Sequence, residues 1–170
     1  MKYFFLLLFI FSSCAGVTGT GNPCVGTDCL ENPAGEGVPG YSNTAFGISF
    51  HIYGWQATEL GTTSEAALNH NGTESVLTVN LSADSVSTMT VKARQLNTSA
   101  ELTSLLQTLY PDVQLNASSG NQLQGYWLVD PQSSERIYFF LAQQNLVSMQ
   151  VHVLDADGVY ESVIASLKIE

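Results

Sequence analysis

Arg136-Ile137-Tyr138-Phe139-Phe140-Leu141-Ala142-Gln143-Gln144-Asn145-Leu146-Val147-Ser148-Met149-Gln150-Val151-His152-Val153-Leu154 is the stretch that decides the fold. Ile137, Phe139 and Leu141 recur at every second position, as do Val147, Met149, Val151 and Val153. Side chains two residues apart share one face of a strand, so each run predicts a strand. Polar Gln143-Gln144-Asn145 turns the chain between them, which makes the pair a central antiparallel hairpin.

Working outward, Asp157-Gly158 opens a helix carrying Val159, Tyr160, Val163 and Ile164, and 166–169 closes as a short strand. Upstream, Pro131-Gln132-Ser133-Ser134 is a turn, Leu123 to Val129 a strand, and Gly120-Asn121 the turn joining it to a strand around Val113 and Leu115. Leu102, Leu105, Leu106 and Leu109 repeat at helical spacing and Pro111 stops them. Thr98-Ser99-Ala100-Glu101 before them has the capping-box form, in which the Thr oxygen and the Glu carboxylate satisfy each other's orphan backbone donors. Farther back, Thr88 to Leu96 alternates Met89, Val91 and Ala93 against Lys92 and Arg94, and Asn71-Gly72 turns a short strand, Ala66 to His70, into Glu74 to Leu81. Phe46, Ile48, Phe50 and Ile52 form the buried set of the first strand, which Gly54-Trp55 breaks.

Strands in hairpin-linked runs, separated by single helices, predict an α+β fold: a central antiparallel β-sheet flanked by helices. Tyr41-Ser42-Asn43 with Phe46-Gly47-Ile48-Ser49-Phe50 and Gly54-Trp55, Ile137-Tyr138-Phe139-Phe140, and Ile164-Ala165-Ser166-Leu167-Lys168-Ile169 together resemble the PsbP-like fold. That fold groups extrinsic photosystem II proteins, Ran-binding relatives and many bacterial lipoproteins. The resemblance spans 41–170 and implies an α/β/α sandwich; it implies no activity, because one fold hosts unrelated functions. Ile52-Tyr53 stands where the family often has Tyr-Pro.

Residues 1–13 read as a signal peptide: Lys2 supplies the positive start and Tyr3 to Phe11 an apolar run too short to span a bilayer. Phe11-Ser12-Ser13-Cys14-Ala15 resembles the lipobox of bacterial lipoproteins, with Phe11 in place of the usual Leu. The resemblance implies that Cys14 is lipidated and becomes the mature N-terminus, and that several acyl chains anchor it durably in the membrane. Cleavage after Ala15 as an ordinary small-x-small site, or Cys14 as a buried apolar residue, are the competing readings. Ala15 in place of Asp implies, by the same resemblance, the outer membrane, facing the periplasm or the exterior. Removing Cys14 leaves Cys24 and Cys29 as a possible disulfide in an oxidising compartment. Residues 14–40 are rich in Gly, Thr, Asn and Pro without apolar periodicity, which predicts a disordered tether reaching about 30 Å.

Charged residues make up only 12% of the 170-residue chain, whose net charge is −10. Once Lys2 leaves, fifteen acids face Lys92, Arg94, Arg136 and Lys168. Such a surface repels phosphate backbones, which excludes nucleic acid as a partner. No Gly-x-Ser-x-Gly elbow or phosphate-binding glycine loop occurs, and Asp155-Ala156-Asp157-Gly158 fails as a calcium loop because Val153 and Ile164 would fall where carboxylates are required. His51 and His152 fall on the polar faces of their strands, where they would meet as a metal site only with a carboxylate; scattered surface histidines, His70 included, are the plainer reading. Trp55, Trp127, Tyr53, Tyr126 and Tyr138 are either core packing or a ligand groove. No catalytic residue, metal or cofactor is expected. The expectation is a non-enzymatic, lipid-anchored accessory or binding module with an envelope protein partner; the alternatives are a carrier of a small apolar ligand and an envelope hydrolase with an unrecognised site.

Overall fold

Apolar alternation and strand pairing agree over most of the structure, a computed structural model that describes residues 39–84, 86–120, 123–152 and 158–170. The leader, Cys14, Cys24, Cys29, the tether to residue 38 and the Asp155 to Asp157 segment lie outside the described residues.

Among the described residues, ten strands and two helices follow in the order β1 (Gly40–Asn43), β2 (Ile48–His51), β3 (Gln56–Ala66), β4 (Thr73–Ala83), β5 (Val86–Gln95), α1 (Leu102–Leu109), β6 (Asn116–Gly120), β7 (Leu123–Val129), β8 (Arg136–Ala142), β9 (Asn145–Val151), α2 (Val159–Ala165) and β10 (Lys168–Ile169). Seven strands form one antiparallel sheet in the order β3-β4-β5-β9-β8-β7-β6, and β1-β2-β10 form a second. The β8–β9 hairpin is central as expected, with Phe140 opposite Val147 and Tyr138 opposite Met149. Because β9 also pairs with β5, the chain makes one long crossover through α1 and β6 to β8 before returning to the middle of the sheet.

The large sheet buries both faces, but unequally. On one, Leu77, Val79, Leu81, Met89, Val91, Phe140, Val147 and Met149 pack against Ile48 and Phe50 of the small sheet, Ile52 just after β2, and Tyr160, Val163 and Ile164 of α2. On the other, Leu102, Leu105 and Leu106 of α1 cover Leu128, Ile137, Phe139 and Leu146. Removing this apolar area from water, at roughly 25 cal/mol per Å², is the main force holding the layers together. The described chain is therefore mainly β, with one short helix on each side of the sheet and the small sheet sharing a side with α2.

Three local expectations need correcting. The strand predicted at Ala66 to His70 is instead a turn, closed by the Ala67 N–H donating to the Gly72 carbonyl (3.0 Å). The strand before it, β3, carries one buried residue, Ala57, and a bulge between Glu59 and Gly61. Gly61 adopts φ 98° there, which suits glycine because it has no Cβ. The capping box does not form: α1 starts at Leu102 with Glu101 in the N-cap position, and Ser104 donates its hydroxyl to Glu101 (3.2 Å) instead. Asn97 holds the exit of β5 by donating to the Thr73 carbonyl (2.9 Å) and, through its N–H, to Glu74, so 98–100 is spent bridging strand to helix. Finally, β6 begins at Asn116, while Val113 and Leu115 pack beside α1.

Candidate functional site

Side chains at even-numbered positions of β4, β5 and β9 point away from the small sheet. Beyond the reach of α1 this side of the sheet is polar, with Thr78, Asn80, Thr90, Ser148 and Gln150 half-buried. The register aligns Asn80 with Thr90 and Thr90 with Gln150 on three adjacent strands. His152 follows directly after β9, its backbone N–H donating to the Thr88 carbonyl (2.9 Å), so its imidazole returns over the same face.

There the side chains join in sequence. The Thr90 hydroxyl lies 2.7 Å from His152 Nε2, and His152 Nδ1 lies 3.0 Å from Glu135 Oε1. Gln150 donates to the other Glu135 oxygen, and the Thr90 hydroxyl also reaches the Asn80 side-chain oxygen at 3.1 Å. His152 and Glu135 are each 26% exposed, shielded yet open to a solute.

A built turn places Glu135. Asp130 accepts from the Gln132 N–H (3.0 Å) and the Ser133 hydroxyl (2.9 Å), and the Asp130 N–H donates to the Glu135 carbonyl (2.8 Å). The backbone bond from Gln132, then that from the Ser133 hydroxyl, holds the Asp130 carboxyl below the usual carboxylate range. Glu135 is held below that range too, first by the hydrogen bond from His152 and then by that from Gln150.

Proton placement follows from these partners. An ionised Glu135 only accepts, so His152 Nδ1 is the donor. A neutral imidazole then offers its Nε2 lone pair to the Thr90 hydroxyl. An imidazolium would donate from both nitrogens and turn that hydroxyl toward Asn80. The group is thus a hydroxyl, an imidazole and a carboxylate in line, able to move a proton between the first two.

A second polar cluster lies on the same face nearer the β3–β4 turn. Glu74, 2% exposed, accepts from Arg94 (3.2 Å) and from the backbone N–H groups of Leu68 and Asn97 (both 3.3 Å). Arg94 also donates to Glu65 (2.6 Å) and to the Ala66 carbonyl (2.9 Å). His70 Nε2 lies 3.4 Å from Glu74, within range of charge attraction but off the hydrogen-bonding direction. Every partner is internal, so this cluster fastens the turn. An open cleft of about 640 Å³ lies between the start of α1 and the β6–β7 hairpin, lined by Glu101, Thr103, Ser118, Gln124, Tyr126 and Leu141 among others.

The aromatic residues singled out from the sequence do not share a groove. Trp55 and Tyr138 are buried in the core, Tyr53 is exposed against His51, and Tyr126 lines the cleft. Trp127 lies under the Arg136 guanidinium (5.1 Å). His51 sits on the small sheet, across the large sheet from His152, so the two do not meet. Among the described residues no three His, Cys, Asp or Glu side chains converge as metal ligands, and no helix is long and apolar enough to cross a membrane. No protein-family model, curated protein or solved structure matches the chain.

Proposed function

We propose that the chain is a lipid-anchored bacterial envelope protein, tethered to the outer membrane through Cys14, whose domain is a PsbP-like α/β/α sandwich acting as an accessory or binding module for another envelope protein. Cys14 directly behind the short apolar run 3–11, followed by Gly-rich chain up to β1, supports the anchor. A helix on either side of an antiparallel sheet supports the sandwich.

The observation that carries the binding role is the half-open polar face. Its side chains are fixed by one another before any partner arrives, which lowers the ordering cost of binding. A net charge of −10 repels anionic headgroups, so a polar protein surface is the better occupant.

Site-specific photocrosslinking in intact cells tests this. A photoreactive residue at Thr78 or Ser148 is expected to capture the same protein, one at exposed Leu109 is not, and Cys14→Ser is expected to abolish capture. Equal capture from all three positions, or none from the polar face, contradicts the reading.

A further inference from the structure

We propose that Thr90, His152, Glu135 and Asn80 form an ester-cleaving site in which Thr90 is the nucleophile. The inference concerns the chemistry of the open face and does not depend on the lipid anchor or on a protein partner.

Nucleophilic catalysis by a hydroxyl needs a base within hydrogen-bond reach, a third group that fixes the base, and a donor for the developing oxyanion. The first two are in place at 2.7 Å and 3.0 Å. Glu135, ionised at neutral pH, fixes the tautomer that leaves Nε2 free to accept the Thr90 proton, and it is itself held by Gln150 and the 130–135 turn. Asn80 supplies the third requirement. Its amide stands 3.1 Å from the hydroxyl, and rotation by a half-turn about its last bond exchanges oxygen for NH₂, presenting a donor beside the attacked carbon.

The reaction balances without any other group. Thr90 Oγ1 bonds to the ester carbonyl carbon as its proton passes to His152 Nε2, and the carbonyl oxygen, now an oxyanion, meets the Asn80 amide. The carbon–oxygen bond to the alcohol breaks, and the alcohol leaves with the proton from His152. Water then attacks the acyl-threonine, giving its proton to His152. The carboxylic acid departs and the proton returns to Thr90. Thr90, His152 and Asn80 are the catalytic residues; Glu135 is a positioning residue.

Openness sets the substrate class. The side chains set beside Thr90 by the register, Asn80 and Gln150, are polar and half-buried, so the site fits short-chain esters displayed on an exposed surface, such as O-acyl groups of a larger molecule.

The test uses the detergent-solubilised full chain, with a fluorophosphonate as trap and p-nitrophenyl acetate as substrate. Mass spectrometry is expected to find one phosphonyl adduct, on Thr90. Thr90→Val, which keeps shape and strand preference, is expected to lose it, and Thr90→Ser to retain it. His152→Gln is expected to slow acetate release by ~100-fold or more, and Asn80→Ala by about 100-fold. Glu135→Gln is expected to move the midpoint of the pH–rate profile downward, a change that altered folding alone does not produce. No adduct on the folded chain, or an adduct that persists in Thr90→Val, overturns the proposal. Either failure leaves the photocrosslinks from the polar face unchanged, so the two readings fail separately.

Discussion

His152 Nε2 lies 2.7 Å from the Thr90 hydroxyl, joining residues 62 positions apart in sequence across the seam between β5 and β9. That seam closes only after the long crossover through α1 and β6 to β8. The polar face is therefore a late product of the topology, and its integrity reports on the packing beneath it.

Glu135 makes this face sensitive to acid. Its carboxyl is held below its ordinary range, chiefly by His152, so the folded state binds fewer protons there than the unfolded state does. The stability it contributes is present above the ordinary glutamate value of the unfolded chain and is lost as pH falls through the folded value. Denaturant titrations between pH 7 and pH 3 are expected to show a loss over that window that is shallower in His152→Ala. Parallel pH dependence in the two proteins contradicts the assignment.

Glu74 is the most enclosed of the buried polar residues among those described. It fastens the β3–β4 turn by accepting from Leu68, Asn97 and Arg94 while fully enclosed. Replacing it with Ala takes the shared acceptor from the part-buried Leu68 and Asn97 N–H groups and from one side of the Arg94 guanidinium, a loss of up to about 1–3 kcal/mol for each donor that water does not reach. Glu74→Ala is expected to lower the denaturant midpoint by several times the effect of Ser75→Ala, its exposed neighbour. Equal effects exclude the fastening role.

Gly125 is fixed by approach, not by φ. A Cβ there would stand 2.2 Å from the Phe139 carbonyl oxygen and 2.6 Å from the Phe140 ring, both on the paired strand β8. Gly125→Ala is expected to destabilise the domain by about 1–3 kcal/mol, the usual cost of overpacking. Thermal melts check it, and an unchanged midpoint shows that β7 and β8 can part without cost.

Much of the fold was legible because buried faces repeat. Phe46, Ile48, Phe50 and Ile52 are all buried, the four leucines of α1 mark a helix at Leu102–Leu109, and β7 and β8 run over the ranges their alternation predicts. β3 was not legible. As an edge strand with Ala57 its single buried residue, it has almost no apolar face to print a pattern. The capping-box motif misled because Asn97 is committed to Thr73 and Glu74, which delays the helix by three residues.

The site was half-legible. Alternation in the β5 and β9 runs already assigned His152 and Lys92 to a polar side, and Thr90 shares the parity of Lys92. Nothing in the order of the chain says that β5 lies beside β9, or that the 130–135 turn delivers Glu135 to the same place. Non-consecutive pairing leaves no local trace, so the link from Thr90 through His152 to Glu135 emerges only in three dimensions.

Compartment and tethering both turn on the mature N-terminus. Intact-mass and N-terminal peptide analysis of the chain recovered from the cell envelope is predicted to show residues 1–13 removed and Cys14 carrying acyl chains on its sulfur-linked glycerol and its amine. A chain that retains Met1 with an unmodified Cys14 thiol contradicts it.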